Sequence, residues 1–426
     1  MNGSQAPADG MTSRWRWLVS LLFRRIWFRA ALFSLFSIGL ALIAAFVAPF
    51  VPYDINTKIG SDAVDNILGI LASSMLAVTT FSLTAMVSAV AGATSTITPR
   101  ATQLLIEDST AQNALSTFIG AFLFSIVGIC ALSTGIYDKS GRVILFVGTI
   151  LVIAIIVMTL LRWISHLTSF GRVGDTIDRV EKVTTAAIER LGYSVSVVPP
   201  EPVLTQGRHA VFSDKIGYVS HIDTRELESL AKHLNCTIDV QVTPGAFVTP
   251  NRAIAWLDHS DADCDTAIRK AFTLDHHRQF DHDPRLGLVV LSEIASRALS
   301  PAVNDPGTAI AVMGSGVRVM TAMLDESRPE TPDETGVRLP AMSIGDLLDD
   351  LFRPIARDGA GLVEVAIKLQ RSLSDIAAAA PRSHGLLAIR AADALARSEA
   401  AMTFSSDVQS VRAAYRQYWV DPGKDA

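Results

Sequence analysis

Long apolar runs in the first part of the chain constrain its fold more than any other feature. Almost all of them lie before Leu167, and the first, Ala30–Val51, has the length of about 20 residues that a bilayer-spanning helix needs. Of the 426 residues, 49% are hydrophobic and 19% are charged, and the apolar excess falls within this N-terminal part. The chain is therefore predicted to combine a membrane-embedded domain with a soluble one.

Four transmembrane helices are predicted from these runs. They cover Ala30–Val51, about Ile67–Ala91, about Ala114–Tyr137, and Val143–Leu167. The loop from Pro52 to Asp65 lacks arginine, which indicates the outer side of the membrane. An arginine and tryptophan collar, typical of the cytoplasmic surface, precedes the first span; it comprises Arg14, Trp15, Arg16, Trp17, Arg24, Arg25, Trp27 and Arg29. Both termini are therefore predicted to be cytoplasmic.

The predicted fold class is a membrane α-helical protein with four transmembrane helices and a cytoplasmic α+β domain. Residues 1–29 form the basic N-terminal segment, 30–167 the transmembrane domain and 168–426 the soluble domain, which is strand-rich over 193–258 and helical over 265–420. Alternating patterns predict strands at Ser194–Val198, Ile216–Ile222 and Thr237–Val242. The soluble helices are predicted at Asp175–Leu191, Thr224–Leu234 (with Asp223 as N-cap), Asp265–Leu274, Leu286–Leu299, Gly307–Leu324, Ile344–Arg357, Leu362–Ala379, Gly385–Ala400 and Asp407–Tyr418, with a loop at Asp325–Leu339.

Small and hydroxyl-bearing side chains follow one line of the second predicted span. Alanines at positions 77 and 91 fill the gaps between them. Such a surface lets helices approach closely and bond across their contact, or it lines a water-filled path. No charge lies at the centre of any predicted span, so the usual mark of a proton-coupled pump is missing from the sequence. We call this line the hydroxyl stripe; its members are Ser73, Thr80, Thr84, Ser88 and Ser95.

The most distinctive soluble stretch runs from Leu291 to Ile310. Glu293 and Arg297 are four positions apart, in the order that favours an ion pair on a helix. Asp305 is predicted to cap a new helix, with Pro306 at its first position. One interpretation is a structural corner. The alternative is a site for a small anionic ligand, formed by the helix N-terminus with Asn304 and Thr308.

Other chemistries find less support in the sequence. The stretch 275–283 contains three histidines and three aspartates, but no spacing places three metal ligands on one face, so surface residues are the favoured interpretation. The three cysteines are scattered and indicate neither a disulfide framework nor zinc. A net charge of −5 gives no case for nucleic acid. Nucleotide-binding glycine motifs and a catalytic triad are not recognised, so no cofactor, metal or enzymatic activity is predicted.

Three stretches resemble the bacterial predicted membrane proteins of domain-of-unknown-function family 2254. The first is Ser95–Arg100 with Asp108 and Gln112, where Ile97 and Thr98 stand in place of the family's phenylalanine and serine; the second is 244–248, a PGxFV turn. The third comprises Arg278, Asp283-Pro284 and 298–306, read as ALSPAVNDP. The resemblance extends from the first helix to about Ile310. It implies the architecture, brings Arg278 and Asp283 into the candidate site, and implies no activity.

Two functional classes follow from these observations. The first is a homo-oligomeric channel or pore-like protein of the bacterial inner membrane, with a cytoplasmic domain that senses or gates. The second is a membrane-anchored binding or scaffold protein without transport. In both, the expected partners are the lipid bilayer, further copies of the chain and a small anionic ligand, not nucleic acid.

Overall fold

The computed structural model describes residues 26–47, 61–134, 139–190, 195–196, 207–258, 262–324 and 336–420. These residues form two units. The N-terminal unit comprises the described parts of Trp15–Ser95 and Thr102–Arg172, and the C-terminal unit comprises Thr96–Ala101 and the described part of Val173–Ala426. The collar from Arg14 to Arg25 and the side chain of Ser95 lie outside the described residues.

The N-terminal unit is helical. Its helices are α1 (Ile26–Val47), α2 (Ser61–Thr96), α3 (Thr102–Ile106), α4 (Ser109–Ser133) and α5 (Lys139–Leu167). Within the described residues, three stretches are apolar and long enough to cross a membrane: Ala63–Thr94, Thr102–Ser133 and Gly141–Leu167. In α1, the apolar helical stretch found among these residues is Phe28–Gly39. The structure thus supports three spans, and the predicted count of four is not confirmed.

Small residues allow the helices of this unit to approach closely. A Cβ atom on Gly120 of α4 would lie 2.8 Å from the Ser37 hydroxyl of α1, and one on Gly128 would lie 3.1 Å from Leu68 of α2. The indole of Trp163 on α5 donates a 3.0 Å hydrogen bond to the Ser82 hydroxyl of α2. Because Ser82 is only 3% exposed, this bond satisfies a polar pair inside an otherwise apolar contact.

The C-terminal unit is dominated by helices. They are α6 (Val173–Arg190), α7 (Thr224–Leu234), α8 (Ala262–Ala271), α9 (Pro284–Ala298), α10 (Pro306–Met323), α11 (Ile344–Asp358), α12 (Val363–Ala379), α13 (His384–Ala401) and α14 (Ser405–Tyr415), followed by a π-helical turn at Arg416–Val420. Helix α9 packs against α6, α10 and α11, and α12 packs against α10, α13 and α14. The α6–α9 approach is close, since a Cβ atom on Gly287 would overlap Thr184.

Nine short strands form three sheets within the described residues. The strands are β1 (Val195–Ser196), β2 (His209–Phe212), β3 (Gly217–Ile222), β4 (Ile238–Val240), β5 (Phe247–Val248), β6 (Ala253–Leu257), β7 (Phe272–Asp275), β8 (Val337–Arg338) and β9 (Met342–Ser343). The sheet orders are β2-β6-β4-β8, β5-β3-β7 and β1-β9. Pairing is antiparallel except between β4 and β8 and between β1 and β9. Strands β2 to β8 and helices α7 and α8 share one buried core that includes Leu227, Ile238, Leu257 and Ile268.

Most predicted soluble elements are confirmed, including Asp223 as the N-cap of α7, where its side chain accepts from the Glu226 amide. The predicted helix Asp265–Leu274 is wrong at its end, because the chain leaves the helix at Ala271 and forms β7 against β3. Pairing with a neighbouring strand here overrides the local helical pattern. The predicted loop Asp325–Leu339 likewise contains a strand, β8, which pairs with β4.

Candidate functional site

The first element of the candidate site is Thr96–Ala101, here called the junction segment. It begins at Thr96, the last residue of α2, and belongs to the C-terminal unit. Ile97 is 1% exposed, Thr98 4% and Ala101 1%, and the Ala101 amide donates a 3.2 Å bond to the Thr98 carbonyl. A buried, turned backbone of this kind is held in one conformation by its packing.

Glu293 of α9 holds the junction segment by two contacts. Its Oε2 accepts a 2.8 Å hydrogen bond from the Thr98 hydroxyl, and its Oε1 pairs with the Arg100 guanidinium. The Glu293 side chain is 28% exposed and that of Arg100 is 60% exposed. The sequence suggested Arg297 as the partner of Glu293; that pair stays a prediction, and the contact with Arg100 was not foreseen.

The second element is the Asp283 corner, formed by Arg278, Asp283 and Gly245. Asp283 is 3% exposed and caps α9 by accepting a 3.1 Å bond from the Leu286 amide. Two bonds from Arg278, at 2.7 and 3.0 Å, reach the same carboxylate. Burial raises the pKa of Asp283, and the bonds from Arg278 act in the opposite direction.

At position 245, only glycine fits beside this carboxylate. Its φ is +88°, which disfavours side chains, and a Cβ atom there would lie 2.5 Å from the Asp283 carboxyl carbon. Two stretches that carry the family resemblance, the PGxFV turn and the Arg278–Asp283 stretch, thus meet in one contact. The sequence offered no signal for this meeting, although the Asp-Pro pair itself resembled the predicted cap at Asp305.

The third element is the Asp305 corner, formed by Asn304, Asp305 and Thr308. Asp305 caps α10: its carboxylate accepts a 3.1 Å bond from the Thr308 amide and a 2.6 Å bond from the Thr308 hydroxyl. These bonds lower the pKa of Asp305. Asn304 has a φ of +51°, a left-handed backbone that asparagine tolerates better than most residues. The Asp305 and Thr308 side chains therefore have a structural role that does not require a ligand.

The hydroxyl stripe lies on an exposed face of α2. Ser73, Thr80, Thr84 and Ser88 are exposed, while the opposite face buries Leu68, Met75 and Met86 among other residues. The hydroxyls of Ser73, Thr80 and Thr84 donate to backbone carbonyls of their own helix, at 2.9 to 3.1 Å. The stripe thus presents small, internally satisfied polar groups to its surroundings.

The histidine and aspartate stretch 275–283 is used in local contacts. Asp275 accepts from the His276 amide at 2.6 Å and from the side chain of Gln279. Asp281 lies 3.6 Å from Arg190, and the His282 ring lies 4.8 Å from the ring of His221. Among the described residues, no group of three or more His, Cys, Asp or Glu side chains is arranged to hold a metal ion.

Asp108 and His166 form a contact in the N-terminal unit that sequence reasoning missed. The Asp108 carboxylate caps α4 by accepting a 2.7 Å bond from the Ala111 amide, and it lies 3.0 Å from the His166 Nε2. The rings of Trp163 and Phe170 lie beside His166, at 5.9 and 5.3 Å. Asp108 therefore starts α4 and also contacts the end of α5.

Three apolar helical stretches long enough to span a membrane, together with a C-terminal unit of helices and short sheets, indicate a membrane protein. A family model described as "Predicted membrane protein (DUF2254)" matches residues 24–375. The chain belongs to this family. The earlier resemblance, drawn from short stretches, is thereby confirmed.

The relatives are mycobacterial. Uncharacterized protein Rv1290c of Mycobacterium tuberculosis (strain H37Rv) and uncharacterized protein Mb1321c of Mycobacterium bovis are each 25% identical over 319 residues. The match covers 70% of this chain and 60% of each relative, so the chain spans about 60% of the length of these relatives. No solved structure matches the chain.

Proposed function

We propose that this chain is one subunit of a homo-oligomeric, channel-like protein of the bacterial inner membrane, in which the C-terminal unit controls the position of α2. One observation carries the proposal: the helix with the exposed hydroxyl stripe continues directly into the junction segment, which Glu293 holds within the C-terminal unit. A rearrangement of α9 would therefore be transmitted to α2 through the backbone of the junction segment. No catalytic step forms part of the proposal.

The exposed stripe supports contact between copies of the chain. Small side chains such as Ala77, Ala91 and Gly92 are exposed on α2 beside the hydroxyls. Small residues on one face are typical of membrane helices that pack closely with one another. Several copies arranged around such faces would enclose a path lined by Ser73, Thr80 and Thr84.

The proposed topology has four spans, the first of which is formed by α1, and both termini lie in the cytoplasm. The arginine-rich collar before α1 and the arginine-free loop after it support this orientation. A reporter fused after Ala426 is expected to be cytoplasmic, and one inserted at Lys58 is expected to be outside. The reverse labelling would contradict the orientation.

The second candidate is a membrane-anchored binding or scaffold protein. The observation that favours it is that the Ser73, Thr80 and Thr84 hydroxyls already bond to their own helix. Such a face needs no water, so it can also lie against another helix or against lipid.

Cysteine accessibility in liposomes separates the two candidates. In the channel-like protein, Thr84→Cys reacts with a charged, water-soluble thiol reagent, and the reaction blocks salt flux from the vesicles. Two controls are matched to it: Met86→Cys on the buried face of α2 (6% exposed), and Val157→Cys on the exposed face of α5 (49% exposed). Both are expected to stay unreactive, because the thiolate that reacts does not form in an apolar surrounding.

Disulfide formation between copies at Thr84→Cys, without reaction with the thiol reagent and without salt flux, would support the scaffold instead.

Control by the C-terminal unit is tested by Glu293→Gln, which removes the charge that pairs with Arg100. This variant is expected to change the flux, whereas Glu364→Gln, at an exposed position in the first turn of α12, leaves it unchanged. If Glu293→Gln shows the same flux as Glu364→Gln, the contact of Glu293 with the junction segment does not control α2.

A further inference from the structure

A cavity of about 200 Å³ lies among α11, α12 and α13 of the C-terminal unit. Its floor is apolar, and the floor side chains of Leu348, Phe352, Leu369 and Leu373 are each at most 3% exposed. Ile389 lines the same cavity and is 60% exposed. None of the residues of the candidate site described above lines this cavity.

Charged side chains surround this floor, and their charges do not balance. Three arginines and two aspartates line the cavity. Arg397 pairs with Asp393 at 2.8 Å. Asp349 forms ion pairs with both other arginines, at 2.9 Å from Arg390 and 3.5 Å from Arg353. Among these lining residues, one guanidinium charge is therefore not balanced by a carboxylate.

Arg353 is the arginine with the most donors to spare. Its side chain is 65% exposed, against 32% for Arg390, and its contact with Asp349 is the longer one. A guanidinium has five N–H donors in a planar fork that suits a carboxylate. Arg353 can thus bind an anionic group at the mouth without breaking the Arg390–Asp349 pair.

We propose that this cavity binds a small amphipathic carboxylate, with an aromatic or short alkyl body against Leu348 and Phe352 and its carboxylate on Arg353. An apolar cavity of about 150 Å³ is known to hold benzene, so about one ring fits, and the volume lies below the usual range of about 300–1,000 Å³ for larger ligands. A single negative charge matches the one uncompensated arginine. A phosphate monoester, with a charge of about −1.5 to −2, would also meet repulsion from Asp349 and Asp393.

The binding proposal does not depend on the proposed function, since binding is measured without flux. The probe is phenylacetate, titrated by calorimetry into the full-length protein in lipid nanodiscs. Wild-type protein is expected to bind it saturably, at one site per chain. Phenylacetamide, which lacks the charge, and acetate, which lacks the ring, are expected to bind at least about tenfold more weakly.

Two variants and their matched controls assign the binding to this cavity. Arg353→Gln is expected to lower the affinity for phenylacetate at least about tenfold, while Arg357→Gln, on the same helix but outside the cavity, leaves it unchanged. Ala394→Leu fills the cavity and should abolish binding. Ala396→Leu, exposed on the same helix, should not.

The proposal is overturned if wild-type protein shows no saturable binding up to about 10 mM phenylacetate, a concentration about tenfold above a Kd of about 1 mM. Unchanged affinity in Arg353→Gln would overturn it equally. Circular dichroism checks that Ala394→Leu folds. If that variant does not fold, the exposed position of Arg353 lets Arg353→Gln decide the outcome.

Discussion

The Asp283 and Asp305 corners each hold an aspartate followed by a proline at the start of a helix, and they differ in what surrounds the aspartate side chain. Both aspartates cap a helix with nearly the same backbone, with φ of −123° at Asp283 and −115° at Asp305. Asp283 is 3% exposed, bonded to Arg278 and in contact with Gly245. Asp305 is exposed, and its carboxylate bonds to Thr308 on its own helix.

The difference shows what local sequence decides and what packing decides. The Asp-Pro pair sets the start of a helix in both places, since the carboxylate accepts a first-turn amide and proline fits the first position. Packing decides the electrostatics: burial raises the pKa of Asp283, whereas the Thr308 bonds lower the pKa of Asp305. The two corners should therefore respond very differently to substitution.

Gly245→Ala should have the largest effect. It places a Cβ atom against the Asp283 carboxylate and on a backbone with φ of +88°, so the free energy of unfolding should fall by about 4 kcal/mol or more. Gly207→Ala is the matched control, because its φ is +82° with open space around it; it should cost about 1–2 kcal/mol. Urea unfolding of the full-length protein in micelles, followed by circular dichroism, measures both. Equal losses would show that Asp283 does not constrain Gly245.

Asp283→Ala should come next, with a loss of about 3 kcal/mol, because it removes a cap and leaves the Arg278 charge without its carboxylate. Asp305→Ala should cost about 1 kcal/mol, the usual value for an exposed cap. The same urea titration compares the two. The Asp283→Ala background should also reduce the cost of Gly245→Ala to that of Gly207→Ala. Similar losses at the two aspartates would remove the contrast between the corners.

Asn304→Ala should destabilise the protein by about 1 kcal/mol, because alanine adopts the left-handed backbone poorly. Asn304→Gly, which permits that backbone, should stay within about 0.5 kcal/mol of wild type. Thermal unfolding with and without phosphate measures both variants. Unchanged melting in Asn304→Ala, together with loss of a phosphate-dependent stabilisation, would instead indicate a ligand at this corner.

The smallest effect concerns pH. Since the pKa of Asp305 is lowered in the folded protein, its charge contributes stability above the ordinary pKa of about 4, and this contribution is lost as the pH falls through the lowered pKa. Asp305→Asn keeps a capping oxygen but not the charge. The variant should be less stable than wild type at pH 7 by less than about 0.5 kcal/mol, after allowance for solvent screening, and this difference should shrink as the pH falls below the ordinary pKa. A difference that grows on acidification would contradict the lowered pKa.

Helix starts could be predicted from the sequence because their signals are local. Contacts between residues far apart in the chain, and very short strands, could not. The caps at Asp223 and Asp305 are formed by residues within three positions of each other. Thr98 and Glu293 lie 195 positions apart, and no local pattern pairs them. Strands such as β5 and β8 have two residues each, too few for an alternating pattern to be recognised. The hydroxyl stripe could be recognised in the sequence, but the sequence did not predict that its side chains are exposed.

The most direct test of the central claim is the structure of the full-length protein in lipid nanodiscs, determined by electron cryomicroscopy. The account predicts a ring of identical chains in which Ser73, Thr80 and Thr84 of α2 face a water-filled path, with each junction segment bound to Glu293 of its own chain. A single chain, or an assembly in which these three hydroxyls face lipid and no path exists between the copies, would contradict it.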